Sequence, residues 1–189
     1  MAMFYLHGFG SRFDKQNQKI IDLSVLGEIS GFNIDYSKTE EEIINDVSNQ
    51  LQNKDVDLLI GTSMGGWLAS ILSAELLLPF VAFNPVISPY KTLKQYIGRH
   101  QDYYGNHYHL LEKSLRQFRT IATNGCGLIF LDEADEVINA KFSKTYLDEH
   151  YHVILYSGGS HRFEHVPESI DEIDKFKIEG CLSWGLLSD

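Results

Sequence analysis

Short apolar runs recur along the chain, separated by longer stretches whose apolar residues fall on one side of a helix. Met3–Leu6, Phe32–Tyr36, Val56–Ile60, Phe80–Asn84, Gly127–Leu131 and Val153–Tyr156 read as strands. Most are continuous rather than alternating, which suits parallel strands covered on both faces. Thr39 to Asn53 predicts the clearest helix: Thr39 and Glu42 form a capping box, and Ile43, Ile44, Val47 and Leu51 make one stripe. Met64 to Leu78 is apolar nearly all round, as expected of a helix buried against a sheet. Asn139 to His150 and Glu164 to Phe176 are further helix candidates. Strand alternating with helix predicts an α/β fold: a mostly parallel sheet of about six strands, helices on both faces, within one domain over 1–189.

The rhythm lapses between Tyr90 and Thr123, where no strand is expected. Residues 96–109 are dense in Tyr and His, and an insertion over roughly 91–123 is read as a small lid.

Chemistry enters at Gly61-Thr62-Ser63-Met64-Gly65. A buried strand runs into this Gly-x-Ser-x-Gly and a helix pattern leaves it, the setting of a nucleophile elbow. Such a turn holds its serine in a strained backbone, and bulk two residues to either side would keep strand and helix apart. Gly61, Gly65 and Gly66 leave that room. A serine needs a base, and the order expected is Ser, then Asp or Glu, then His. Of eight histidines, His161 lies in a glycine-rich loop (157–163) between the last strand and the last helix, where the base belongs; His165 is the weaker choice. The strand ending at Leu131 leads into Asp132-Glu133-Ala134-Asp135-Glu136-Val137. Asp135 is favoured as the acid, and Asp132 comes early, where the strand has barely ended. The backbone N–H groups of Phe9, in the His7-Gly8-Phe9 turn, and of Met64 are the expected oxyanion donors. His7 is read as a structural brace. Trp67 and Phe163 adjoin these residues and are candidates for substrate contact.

The run Leu131-Asp132-Glu133-Ala134-Asp135 also spells the metal box of a helicase-type ATPase, but the phosphate loop that box requires is missing, since the chain has no Gly-Lys pair. The four carboxylates find no complementary ligand set elsewhere, so no metal site is expected.

Tyr5-Leu6-His7-Gly8-Phe9, Gly61-Thr62-Ser63-Met64-Gly65-Gly66-Trp67, Asn84-Pro85, Asp135-Glu136-Val137 and Gly158-Gly159-Ser160-His161-Arg162-Phe163 together resemble the YqiA-like small esterases of the α/β-hydrolase superfamily. The resemblance runs from the first strand to the last helix. It implies a compact α/β-hydrolase fold and a carboxylesterase using Ser63, Asp135 and His161; a thioesterase is an equal expectation from the same chemistry, and no cofactor is expected. Two departures are local: Ala134 stands where family members often have Gly, and Trp67 where they usually have Tyr.

Composition narrows the partners. Of 189 residues, 16 are Lys or Arg and 26 Asp or Glu, a formal net charge of -10. That balance disfavours nucleic acid, anionic membranes and, more mildly, acyl-CoA, and leaves a small acyl ester as the expected partner. No apolar run is long enough to span a bilayer and the start does not resemble a signal peptide, which places the expectation in the cytoplasm. Cys126 and Cys181 are expected as small apolar core residues.

Overall fold

The computed structural model describes residues 2–52 and 54–183, with side chains through residue 177. In chain order the elements are β1 (Ala2–Leu6), α1 (Gln18–Leu23), β2 (Glu28–Gly31), α2 (Glu40–Leu51), β3 (Leu58–Thr62), α3 (Met64–Leu76), β4 (Phe80–Phe83), α4 (Pro89–Leu93), β5 (Gly98–Gln101), β6 (His107–Leu110), α5 (Glu112–Leu115), β7 (Gly127–Asp132), α6 (Ala140–Leu147), β8 (His152–Tyr156) and α7 (Val166–Ser183). Six strands form one sheet in the order β2-β1-β3-β4-β7-β8. Every pairing in it is parallel.

The continuous apolar strands are covered on both faces, as their composition requires. On one face Phe4, Leu59, Ala82 and Ile129 pack with Ile43, Val47 and Leu51 of α2, Trp67 and Leu68 of α3 and Leu147 of α6. On the other, Met3, Ile60, Val81 and Leu128 pack with Ile20 and Leu23 of α1 and Ile173 and Phe176 of α7. The capping box of α2 is formed: Glu42 N–H donates to Thr39 Oγ1 at 3.3 Å and Thr39 N–H to Glu42 Oε2 at 2.9 Å.

Three expectations are corrected. Phe32–Tyr36 is not a strand; the edge strand is Glu28–Gly31, four residues earlier. Ile34 and Tyr36 are buried, but they are held by His7 rather than by a ladder: Ile34 N–H donates to His7 Nε2 at 2.8 Å and Tyr36 Oη–H to the His7 carbonyl at 2.7 Å. Apolar content there reports burial in the core beside α2, not pairing. Second, the 91–123 stretch does contain strands: β5 and β6 pair antiparallel as a separate two-stranded sheet, Gly98 opposite Leu110 and Gln101 opposite His107. Its exposed, polar positions leave no hydrophobic alternation to read. Third, Cys126 is partly buried against the core as expected, but it is disulfide-bonded. The side chain of Cys181 lies outside the described residues.

Among the described residues no helix is long and apolar enough to cross a membrane.

Candidate active site

At the carboxyl ends of β3, β7 and β8 three loops converge. The first is the turn from β3 into α3. Ser63 holds φ 57 and ψ -118, outside the regions an L-residue ordinarily adopts, at a typical cost of about 1–3 kcal/mol. It is held there by Ser63 N–H donating to the Phe83 carbonyl at 2.9 Å and by Val86, Gly66 and Trp67 N–H groups donating to the Ser63 carbonyl. The glycines are required by contact: a Cβ on Gly65 would stand 1.8 Å from the Leu6 carbonyl oxygen, and one on Gly61 2.1 Å from that of Gly65. The turn exists because these backbones touch.

The second loop carries His161, between β8 and α7. Its Nε2 lies 2.9 Å from Ser63 Oγ and its Nδ1 2.8 Å from Asp135 Oδ2. The Asp135 side chain is 1% exposed, whereas the imidazole is 19% exposed and open on one side. Asp135 sits in the third loop, after β7, and its other oxygen accepts the N–H groups of Val137 and Ile138, both at 2.7 Å. Hydroxyl, imidazole and carboxylate thus form one hydrogen-bonded line. Such a line lets the imidazole take the hydroxyl proton while the carboxylate orients the ring and stabilises its charged form.

The Gly8-Phe9 turn borders the serine: a Cβ on Gly8 would lie 3.2 Å from Ser63 Cβ. His7 braces this turn. Its buried Nε2 accepts from Ile34 N–H, so Nδ1 carries the proton given to the Gly8 carbonyl at 2.8 Å. Burial pushes its pKa below the usual value, which suits a neutral ring. Among the described residues the Phe9 and Met64 N–H groups are given no acceptor.

The four clustered carboxylates part company in space. Asp135 bonds the His161 ring. Glu136 Oε2 accepts the His161 N–H at 2.9 Å, and that bond draws its pKa down. Glu133 lies near Lys141 on the surface. Asp132 is fully buried and holds the loop bearing His161: Oδ2 accepts from Ser160 N–H at 3.1 Å and Glu164 N–H at 2.8 Å, and Oδ1 lies 2.6 Å from His165 Nδ1. Asn84 completes the clamp, accepting Asp132 N–H at 2.8 Å and donating to the Ser160 carbonyl at 2.9 Å. Among the described residues no group of three or more His, Cys, Asp or Glu could hold a metal ion.

Two expected substrate contacts are corrected. Trp67 is wholly buried on the opposite side of its helix, stacked on Phe118 with centroids 5.3 Å apart, its Nε1–H donating to the Arg119 carbonyl. Phe163 is buried in the core on the α1 and α7 face, 4.6 Å from the Phe83 ring. Neither lines the cavity beside Ser63. Proximity along the chain misled: Trp67 is a helical position facing another way from Ser63, and Phe163, at φ 62 in the loop before α7, turns into the core.

One residue carried no sequence signal. Lys19 of α1 reaches beneath the site, where Nζ donates to Thr62 Oγ1 at 3.2 Å and to the Arg162 carbonyl. It thereby joins the residue before Ser63 to the residue after His161. The rings of Phe83 and Phe163 flank it. Burial lowers its pKa to about 7, opposed by the charge of Asp132.

A family model described as an uncharacterised protein family, UPF0227, matches residues 2–178. A UPF0227 protein of Vibrio campbellii is 26% identical over 182 residues, covering 93% of this chain and 98% of its own. The UPF0227 protein YcfP of Escherichia coli is 25% identical over 185 residues, 94% of this chain and 99% of its own. Among solved structures, Est1E from Butyrivibrio proteoclasticus superposes with a TM-score of 0.72 at 14% identity, covering 94% of this chain and 87% of that one. Mouse alpha/beta hydrolase domain-containing protein 10 does so with a TM-score of 0.71 at 14% identity, covering 94% and 90%. The sheet order, the helices on both faces and these superpositions make the fold that of an α/β hydrolase, and the chain belongs to the UPF0227 family, the group of YcfP and YqiA.

Proposed function

We propose that this protein is a serine hydrolase that cleaves small carboxylic esters or thioesters through an acyl-enzyme. The observation that carries the reading is the unbroken line from Ser63 Oγ through both nitrogens of His161 to the buried Asp135 carboxylate, at 2.9 and 2.8 Å. Esterase and lipase names among the structures sharing the fold support the reaction class: Est1E itself, Est1E with ferulic acid bound, and a monoacylglycerol lipase of Paleococcus ferrophilus.

In the first half-reaction Ser63 Oγ attacks the ester carbonyl carbon as His161 Nε2 takes the hydroxyl proton. Negative charge moves onto the carbonyl oxygen, which the Phe9 and Met64 N–H groups receive; losing one such donor typically costs about 10²–10³-fold in rate. Asp135 holds the imidazolium. The carbon–oxygen or carbon–sulfur bond then breaks, and His161 returns the proton to the departing alcohol or thiol. In the second half-reaction His161 takes a proton from water, the hydroxide adds to the acyl carbon, and Ser63 leaves with the proton restored. No metal or cofactor enters this scheme.

Turnover of p-nitrophenyl acetate by Ser63→Ala tests the mechanism. The expected loss is at least about 10⁴-fold in kcat; undiminished turnover overturns it. A new ester of a competing alcohol, formed in place of the free acid, would instead mark acyl transfer to that acceptor.

A further inference from the structure

The cavity at Ser63 and His161 is small and its walls are aromatic. Its volume is about 270 Å³, and Phe9, Tyr96, Tyr103 and Tyr108 line it beside the two reacting side chains. Phe9 and Tyr108 make the inner wall, both partly buried, with ring centroids 5.2 Å apart and planes at 85°. Tyr96 flanks Phe9 at 5.5 Å. Tyr103, 80% exposed, forms the rim.

The roof is the β5-β6 hairpin, and it is tied to the loop after β1. Tyr103 N–H donates to the Gly10 carbonyl at 3.4 Å, and the Arg12 guanidinium lies 4.0 Å over the Tyr104 ring. The aromatic wall is thus assembled from two segments far apart in sequence, and Phe9 and Tyr108 both pack against the core on this face of the sheet. Charge narrows the occupant further. Among the described residues no lysine or arginine lines the cavity, while Asp102 does beside His100, and hydrogen bonds from Asn106 hold the Asp102 carboxyl below the usual range. A carboxylate, phosphate or CoA group finds no countercharge there.

We propose that this cavity selects uncharged esters whose acyl or alcohol side carries one aromatic ring, seated against Phe9 and Tyr108. The selection rests on the ester-hydrolase reading above. Ring on ring, in offset or edge-on geometry, adds to what area burial alone supplies, so an aromatic group should be preferred over a saturated ring of the same size.

The test compares kcat/KM within two matched pairs: methyl 3-phenylpropanoate against methyl 3-cyclohexylpropanoate, and benzyl acetate against cyclohexylmethyl acetate. Each pair keeps the reacting ester and the bulk, and changes only aromaticity. The expected result is a preference of about three- to tenfold for the aromatic member of at least one pair. Tyr108→Leu should bring that ratio towards one, and Tyr108→Phe should keep it. Equal rates within both pairs, or a preference for the saturated members, overturn the aromatic selection while leaving the hydrolase reading intact. Failure to cleave any of the four esters, together with failure to cleave p-nitrophenyl acetate, overturns both.

Discussion

His165 Nδ1 lies 2.6 Å from Asp132 Oδ1, so a second histidine–aspartate pair sits directly behind the His161–Asp135 pair. The two differ in what they face. His161 also meets Ser63 Oγ, whereas Asp132 spends its remaining acceptor on the N–H groups of Ser160 and Glu164, on either side of His161. Tyr156 stacks on His165 with centroids 4.9 Å apart. The rear pair therefore sets the loop, and the front pair presents the imidazole.

Asp132→Asn keeps the volume but replaces one of the two acceptor oxygens with a donor, which must face either His165 Nδ1 or the N–H groups of Ser160 and Glu164. A loss of about 2–4 kcal/mol in unfolding free energy, measured by urea denaturation, is expected, with kcat falling more than KM rises. Unchanged stability would mean that the loop is held by other contacts.

Gly159 and Gly158 separate space from backbone strain. Both have positive φ, 72° and 81°, but a Cβ at 159 would stand 1.9 Å from Asp132 Oδ2, whereas one at 158 meets nothing within 4 Å. Gly158→Ala should therefore cost about 1–2 kcal/mol, the left-handed penalty alone. Gly159→Ala should cost more and, by displacing His161, lower kcat at least about tenfold beyond Gly158→Ala. Thermal melts and turnover of the two variants side by side read the difference.

Lys19 predicts a slope in stability against pH. Its pKa is about 7 in the folded protein against 10.5 for an ordinary lysine, so between those values the unfolded chain binds more protons. Native stability should therefore gain from this group as pH rises from 7 to 10. Relative to Lys19→Met, the Tm of the native protein should shift upward across that window. A difference in Tm that stays constant with pH would contradict the lowered pKa of Lys19.

Asp135→Asn leaves an oxygen for the Val137 and Ile138 N–H groups but gives His161 Nδ1 the wrong partner. A fall of about 10²–10⁴-fold in kcat, with little change in KM or Tm, is expected from steady-state kinetics and melting. A large drop in Tm would make Asp135 a structural rather than an orienting residue.

Much of this arrangement was legible before the structure. Strands β1, β3, β4, β7 and β8 announce themselves because burial on both faces leaves continuous apolar runs, and the glycines of the Ser63 turn mark a close backbone approach. The hairpin is silent for the opposite reason: Gly98–Gln101 and His107–Leu110 pair outside the core, so nothing selects an apolar face. Asp132 and Asp135 are equal as letters. Position after the strand favours Asp135 as the acid, but only geometry shows that Asp132 holds the loop bearing His161. Lys19 gives no sign at all, since a lysine in a helix ordinarily marks a solvated face and its reach to Thr62 and Arg162 spans 43 and 143 positions. Trp67 shows the converse error, a residue beside the serine in sequence that packs away from it in space.

The most direct measurement is intact-protein mass spectrometry after exposure of the folded protein to a fluorophosphonate, followed by peptide mapping. The reagent phosphonylates a serine only when a neighbouring base has activated it. The account predicts a single adduct per chain, located on Ser63 and absent from Ser63→Ala and strongly slowed in His161→Ala. A folded protein that takes up no label, or takes it up at another residue, would contradict the central claim.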